Sequence, residues 1–218
     1  MIRDIFLCLL IGYFFGCFQT GYIYGRCHGI DIRNYGSGNA GTTNTLRVLG
    51  KKAGYITYLG DALKAIFAIL LVKYVIFGHI LTPNMDFNLL LAYTGLGVAL
   101  GHNYPFYLKF KGGKGIATTS GVMLALDLRI GLLGIIGFFL IFFTTRYVSV
   151  GSLYMSLAFP IGVLIFYPGQ WHLFGISVVF WLMAWMRHRE NIKRLLNGTE
   201  NRFERKKKKN RFERKKKN

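Results

Sequence analysis

The sequence is poor in the residues on which several classes of protein depend. Its 218 residues include only three cysteines and nine acidic side chains, against 28 lysines and arginines. The cysteines, Cys8, Cys17 and Cys27, show no C-x-x-C spacing, which argues against both a disulfide framework and a cysteine metal site. No other motif in the sequence indicates a bound metal or cofactor. We therefore predict no metal and no cofactor.

Long apolar runs are abundant instead. Apolar residues make up 52% of the chain and aromatic residues 16%. Because about 20 mostly apolar residues are needed for a helix to cross a bilayer, the pattern predicts an all-α, polytopic integral membrane protein with about seven transmembrane helices. The predicted spans are residues 5–24, 53–77, 89–106, 116–128, 130–143, 148–166 and 171–186.

The connecting segments alternate in charge. Residues 26–52 contain five basic residues against one acidic residue, residues 107–115 contain three lysines, and residues 187–218 are strongly basic. Lysine and arginine accumulate in the short cytoplasmic loops of membrane proteins. We therefore predict that the amino terminus lies outside and the carboxyl terminus inside, which requires an odd number of spans.

The carboxyl terminus is a separate basic segment. Residues 201–218 are two near-identical nonapeptides with 11 basic and two acidic residues. We predict a membrane-embedded domain over residues 1–200, followed by this basic, duplicated cytoplasmic tail over residues 201–218. Such a tail is attracted to anionic lipids, so we expect membrane lipids rather than nucleic acid as its partner.

The second predicted span contains two charged residues, Asp61 and Lys64, three positions apart and hence on one helix face. Charges inside a membrane are usually paired or line a wet cavity. Two interpretations remain open from the sequence. The residues either form a structural ion pair or help to orient the loop between the first two spans.

That first loop combines glycines with hydrogen-bond donors in the stretch GSGNAGTTNTLRVLGKKAG, residues 36–54. Glycines allow successive backbone N–H groups to surround an anion, and Arg47 adds a planar, bidentate phosphate ligand. The glycines also fit the dinucleotide fingerprint G-x-G-x-x-G. That fingerprint requires a preceding strand, whereas the neighbours here are predicted membrane helices, so we interpret the loop as a phosphate site.

Two further polar clusters follow on the same predicted side. The segment GHNYPFYLKFKGGKG, residues 101–115, resembles half a P-loop but has no Ser or Thr after Lys114, so we interpret it as a second anion-binding loop. His102 either lines this site or, as we expect, makes a structural hydrogen bond. In the third cluster His188 and Asn191 share a helix face, and a histidine can orient or deprotonate a hydroxyl.

Together these segments resemble the three cytoplasmic motifs of the bacterial acyl-phosphate-dependent glycerol-3-phosphate acyltransferase family. The matching segments are SGNAGTTNTLR (residues 37–47), GHNYPF with FKGGKG (within residues 101–115) and HRENIKRL (residues 188–195). Their order and spacing agree with the family over residues 1 to about 200. The resemblance implies an enzyme of the bacterial cytoplasmic (inner) membrane whose active site faces the cytoplasm.

The resemblance also implies the reaction and the residues that perform it. The partners would be acyl phosphate and glycerol 3-phosphate, and the products lysophosphatidic acid and phosphate. The implied catalytic residues are Ser37, Arg47, His188 and Asn191. The implied substrate-binding residues are Gly38, Asn39, Gly41, Thr42, Thr43, Asn44, Lys111, Gly112, Gly113, Lys114 and, by a weaker match, Ser152.

The chemistry of the residues agrees with this implication. Acyl phosphate is already activated, so the glycerol hydroxyl can attack it directly without a covalent enzyme intermediate. None of the five histidines has an aspartate five positions later, so the H-x-x-x-x-D pair of other glycerolipid acyltransferases is missing. The alternative is a membrane transporter of organic phosphates. Transporters usually place their site near the midplane of inverted repeats, and the sequence shows no repeat between its halves.

Overall fold

The computed structural model describes residues 2–81 and 86–203, and within these ranges the chain is helical with no β-strand. This confirms the all-α prediction. A π-helical turn, Val72–Ile76, extends the fourth helix. The described residues form ten α-helices: α1 (Ile2–Cys17), α2 (Thr20–Cys27), α3 (Thr42–Leu49), α4 (Lys51–Leu71), α5 (Phe87–Asn103), α6 (Ile116–Leu126), α7 (Leu128–Thr145), α8 (Val148–Phe166), α9 (Trp171–Arg187) and α10 (Arg189–Leu196).

Three helical stretches are long and apolar enough to cross a membrane, judged over the residues that the structure covers. They are Ile2–Cys27 taken across its break, Leu128–Thr145 and Val148–Phe166. The other predicted spans coincide with helices that are shorter or contain charged residues. The helical positions therefore agree with the predicted spans, and the count of seven stays a prediction.

Glycines bring α1 and α5 into close contact. A Cβ atom on Gly12 would overlap the carbonyl oxygen of Thr94, and one on Gly97 would overlap that of Leu9. Small residues at a helix interface let two backbones approach closely, which is a common packing mode between membrane helices. The helices α1 and α5 therefore form a tight pair.

The first predicted span, residues 5–24, is not one continuous helix. It breaks at Phe18 and Gln19, between α1 and α2. The carbonyl groups freed by the break are satisfied by distant side chains: Lys64 Nζ donates to Gly16 O at 3.1 Å and to Phe18 O at 2.6 Å. A break in a buried helix is tolerated where other groups replace its lost hydrogen bonds.

The same lysine belongs to a buried polar cluster. Its Nζ lies 3.0 Å from Asp61 Oδ1 and 2.8 Å from His102 Nδ1, and Thr20 Oγ1 donates to the same aspartate oxygen at 3.1 Å. Asp61 and Lys64 thus form the ion pair considered from the sequence, and His102 makes a structural hydrogen bond as expected. The charges of Asp61 and Lys64 are thus paired with each other, and the hydrogen bonds of the cluster join α2, α4 and α5.

Candidate active site

The three donor-rich segments meet at one end of the bundle, which we call the site end. They surround a cavity of about 350 Å³. The loop before α3, the loop before α6 and the α9–α10 junction each contribute to its wall, although they are far apart in sequence. The lining residues are Ser37, Gly38, Asn39, Lys111, Gly112, Lys114, Arg187, Glu190, Asn191 and Arg194.

The first loop is shaped by one buried side chain, Asn44. Its amide nitrogen donates to the carbonyl groups of Ile32, Tyr35 and Asn39 at 2.9–3.1 Å. Its amide oxygen accepts from the backbone N–H of Ser37 at 2.8 Å. Because these bonds occupy the amide fully, the side chain of Asn44 organises the loop, and Ser37 and its neighbours face the cavity.

Helix α3 begins directly after this loop. Its N-cap, Gly41, provides no side-chain cap, so the first-turn N–H groups, including those of Thr42 and Thr43, are available to an anion. Arg47 lies one turn further along and is exposed. It makes no hydrogen bond or ion pair with any residue that the structure describes. Its guanidinium is therefore free to bind a ligand.

The second loop rests on the buried polar cluster. Gly112 N donates to Asn103 O at 3.1 Å and Gly113 N to His102 O at 3.0 Å. A Cβ atom on Gly113 would overlap Nε2 of the His102 ring. Glycine is therefore required for this close approach, and the position of the loop depends on the histidine beneath it.

Arg187 holds the same loop from the opposite side. Its guanidinium donates to Gly112 O at 3.1 Å and to Gly113 O at 2.9 Å, and it lies over the ring of Tyr104 at 5.3 Å. The loop is thus fixed between α5 and the end of α9. This fixed loop carries Lys114 into the cavity wall.

Lys114 and Asn191 connect the second and third segments, since Lys114 Nζ donates to Asn191 Oδ1. Burial, together with the nearby charges of Arg194, Arg187 and Arg47, lowers the pKa of Lys114 to about 8, and Glu200 opposes this shift. Lys114 is therefore mostly a cation at pH 7 and loses its charge as the pH rises through about 8. It also lies within electrostatic range of Arg47.

His188 is buried between α9 and α10. Its Nδ1 lies 2.7 Å from Ala184 O, and since a carbonyl only accepts, Nδ1 must be the protonated nitrogen. Burial lowers the pKa of His188 to about 4, with a further contribution from the charge of Lys114. The ring is therefore neutral at pH 7, and its Nε2 is a hydrogen-bond acceptor.

The remaining predicted residues do not line the cavity wall. Ser152 is buried, and its hydroxyl donates to Val148 O at 2.8 Å within its own helix. Two of these residues nevertheless lie near Lys114. The charge of Arg47 lowers the pKa of Lys114, and the charge of Lys114 lowers the pKa of His188. The predicted residues outside the lining are Gly41, Thr42, Thr43, Asn44, Arg47, Gly113, Ser152 and His188.

Three residues that shape the site have no role that the sequence predicts. Arg187 clamps the second loop, Arg194 lines the cavity, and the Glu200 carboxylate bonds to Asn191 and Arg194 at 2.7 Å. A signal existed for Arg194, because residues three or four apart share a helix face and it follows Glu190 and Asn191 at that spacing. No local pattern marks Glu200.

The cavity wall is strongly cationic. It contains two lysines and two arginines against the single carboxylate of Glu190. Arginine and lysine side chains beside glycine-rich backbone are suited to phosphate groups. The cavity therefore has a cationic, glycine-rich wall whose chemistry is suited to phosphate groups.

Comparison with known proteins agrees with this geometry. A family model described as glycerol-3-phosphate acyltransferase matches residues 6–198. The chain belongs to the glycerol-3-phosphate acyltransferase family. A relative of that name from Thermoanaerobacter sp. (strain X514) is 41% identical over 201 residues, covering 92% of this chain and 96% of the relative. One from Clostridioides difficile (strain 630) is 42% identical over 202 residues, covering 91% and 95%.

Solved structures of this acyltransferase family share the fold. A crystal structure of PlsY (YgiH), an integral membrane glycerol 3-phosphate acyltransferase, in its glycerol 3-phosphate form has a TM-score of 0.81 and 36% identity, covering 92% of this chain and 96% of that one. The lysophosphatidic acid form has a TM-score of 0.78 and 35% identity, covering 92% and 95%. The prediction of a membrane acyltransferase of phospholipid synthesis is thereby confirmed.

Proposed function

We propose that the protein transfers a fatty acyl group from acyl phosphate to the 1-hydroxyl of sn-glycerol 3-phosphate. The products are lysophosphatidic acid and inorganic phosphate. One observation carries the proposal: a single cavity brings together two glycine-rich loops, four cationic side chains and, just behind its wall, a neutral histidine. Two phosphate-bearing substrates need two anion sites, and the proposed residues are distributed over both sides of the cavity.

The two phosphate groups are assigned to different parts of the site. The phosphate of glycerol 3-phosphate binds Lys114 and Arg47, which are close enough for one charge to affect the other. The phosphate of the acyl donor binds the loop from Ser37 to Gly41 and the first turn of α3, where uncapped N–H groups are available. This arrangement leaves the acyl carbonyl between the two anion sites.

The reaction then proceeds by direct attack. The glycerol 1-hydroxyl oxygen forms a bond to the acyl carbonyl carbon, and the bond from that carbon to the phosphate oxygen breaks. His188 Nε2 orients the hydroxyl and accepts its proton, or passes it to the departing phosphate. Backbone N–H groups and Arg47 stabilise the charge that develops on the oxygens. Asn191 holds Lys114 in place during these steps.

We also propose the membrane arrangement predicted from the sequence. The chain has seven spans, its amino terminus is outside, and the site end faces the cytoplasm of a bacterial inner membrane. The short basic loops at the site end support this orientation. The enzyme unit covers residues 1–200, and the tail, residues 201–218, binds anionic lipid. Of this tail the structure describes only residues 201–203.

The donor can be tested directly. Purified protein in detergent should release one phosphate for each lysophosphatidic acid formed when given acyl phosphate and glycerol 3-phosphate. With acyl-CoA in place of acyl phosphate, we expect no product above background. Product from acyl-CoA at a comparable rate would refute the donor assignment. Uptake of glycerol 3-phosphate into proteoliposomes without acyl transfer would favour the transporter alternative.

The rate should depend on the charge of Lys114. Its ammonium form binds phosphate and is lost as the pH rises through the pKa of about 8. We therefore expect the KM for glycerol 3-phosphate to rise, and kcat/KM to fall, between pH 7 and pH 9.5. A Lys114→Arg variant keeps its charge over this range, so its kcat/KM should be lower but nearly independent of pH. A flat profile in the unmodified enzyme would contradict the assignment.

A further inference from the structure

Glu200 lies beside the site but two residues beyond the segment that matches the family. Its side chain is only 6% exposed. Oε1 accepts a hydrogen bond from Asn191 Nδ2 at 2.7 Å, and Oε2 accepts one from Arg194 Nε at 2.7 Å. The carboxylate therefore touches two residues of the cavity wall, although it does not line the cavity itself.

These contacts determine which way the Asn191 amide points. The Lys114 ammonium can only donate hydrogen bonds, and the Glu200 carboxylate can only accept them. Asn191 lies between the two, so its oxygen must face Lys114 and its nitrogen must face Glu200. If the amide were turned over, its NH₂ group would face the Lys114 ammonium, which is also a donor, and its oxygen would face the Glu200 carboxylate, which is also an acceptor.

Glu200 is itself held by a short segment after α10. At one end of this segment Thr199 N donates to Arg194 O at 2.8 Å, and at the other end Phe203 N donates to Arg146 O at 2.9 Å. The Phe203 ring packs edge-on against Phe142, with 5.6 Å between the ring centroids. The segment that carries the carboxylate is thus anchored both to α10 and to the α7–α8 link.

We propose that Glu200 is a positioning residue that fixes the orientation of the Asn191 amide and, through it, the place of the Lys114 ammonium. The inference rests on the proposed function, in which Lys114 and Asn191 belong to the glycerol 3-phosphate site. Glu200 touches no substrate in this arrangement. Its main effect reaches the substrate through Asn191, and the same carboxylate also aligns Arg194, which lines the cavity.

The isosteric substitution Glu200→Gln should be unusually harmful. In a Glu200→Gln variant the new amide oxygen turns to the cationic Arg194, so its NH₂ group faces Asn191. Asn191 must then present its oxygen to this group and its nitrogen to Lys114, which repels the ammonium. Glu200→Ala removes the carboxylate without imposing the wrong orientation. Glutamine should therefore be at least as harmful as alanine, whereas for a merely structural residue the isosteric change is the milder one.

Binding of glycerol 3-phosphate to the purified, full-length enzyme by calorimetry tests this. We expect Glu200→Gln to weaken binding about tenfold, in the range of interaction energies between residues of one hydrogen-bond network. In an Asn191→Ala background the same change should have little further effect, because the group through which it acts is missing. Steady-state kinetics should show the loss mainly in KM for glycerol 3-phosphate.

A matched control is Asp127→Asn. Asp127 accepts hydrogen bonds from Arg129 and Tyr167 at the other end of α6, so it reports general effects of losing a bonded carboxylate, and binding should be unchanged. Unchanged binding in Glu200→Gln, or an equal loss in the Asn191→Ala background, would overturn the proposal. Absence of binding to the unmodified enzyme would instead overturn the proposed function, so the two failures are distinguishable.

Discussion

Replacing Arg47 by alanine should lower the rate of phosphate release by about 100- to 1,000-fold, the usual cost of removing one group that stabilises transition-state charge. Arg47 is exposed at the site end, and no residue within the described ranges pairs with its guanidinium. It lies near enough to Lys114 to affect that residue's pKa. The loss should therefore reflect substrate chemistry and leave the fold intact, which thermal unfolding of the variant would verify.

Two further variants make the Arg47 result specific. Arg47→Lys keeps the charge but loses the planar pair of donors, so it should recover only part of the activity. Arg26→Ala removes an exposed arginine from the last turn of α2, before the same loop, and should leave the rate unchanged. Full phosphate release by Arg47→Ala would exclude the role proposed for this residue.

Replacing Gly113 by alanine should both destabilise the protein and impair the reaction. The added methyl group would overlap the His102 ring, which is buried and held 2.8 Å from Lys64 Nζ. Inserting a methyl group into such a packed site costs about 1–3 kcal/mol. Because the ring cannot move without disturbing the ion pair, the loop that carries Lys114 must shift, and we expect at least a tenfold fall in kcat/KM.

The matched control for this substitution is Gly175→Ala. Gly175 lies in α9, and an added Cβ there would meet no atom within 4 Å. The Gly175→Ala variant should melt at the same temperature as the unmodified enzyme or slightly above it, because alanine favours helix, and its rate should be unchanged. If Gly113→Ala melted at the same temperature and retained full activity, the second loop would not depend on His102 as the structure indicates.

Much of the helical pattern could be predicted because apolar runs report burial in a membrane directly. Helix α8 begins and ends where the sequence places it. The break after Cys17 could not be predicted, because its carbonyl groups are satisfied by Lys64, which is distant in sequence. Local sequence records the preference of a segment for helix, but not the partners that make an interruption tolerable.

The candidate site could also be predicted only where a local pattern of residues indicates it. Glycines next to hydroxyls and Arg47 indicate an anion site, since few other functions need that combination. The contacts of Arg187 and Glu200 depend on how α9, α10 and the second loop are placed relative to one another. In the sequence Arg187 is one of several basic residues that follow the last predicted span, and Glu200 follows the last helix with no periodic pattern around it.

The close pairing of α1 with α5 has a consequence for how the protein is made. About 70 residues separate the end of α1 at Cys17 from the start of α5 at Phe87. A ribosome adds about 5–20 residues per second, so α1 waits in the bilayer for several seconds before its partner is synthesised. During this interval its glycine face lacks α5 as a partner, and Lys64, on α4, is the first side chain from beyond α2 that can bond the carbonyl groups at the break. Assembly of the bundle during translation should therefore begin with α1 and α4, and the arrival of α5 completes the support on which the second loop rests.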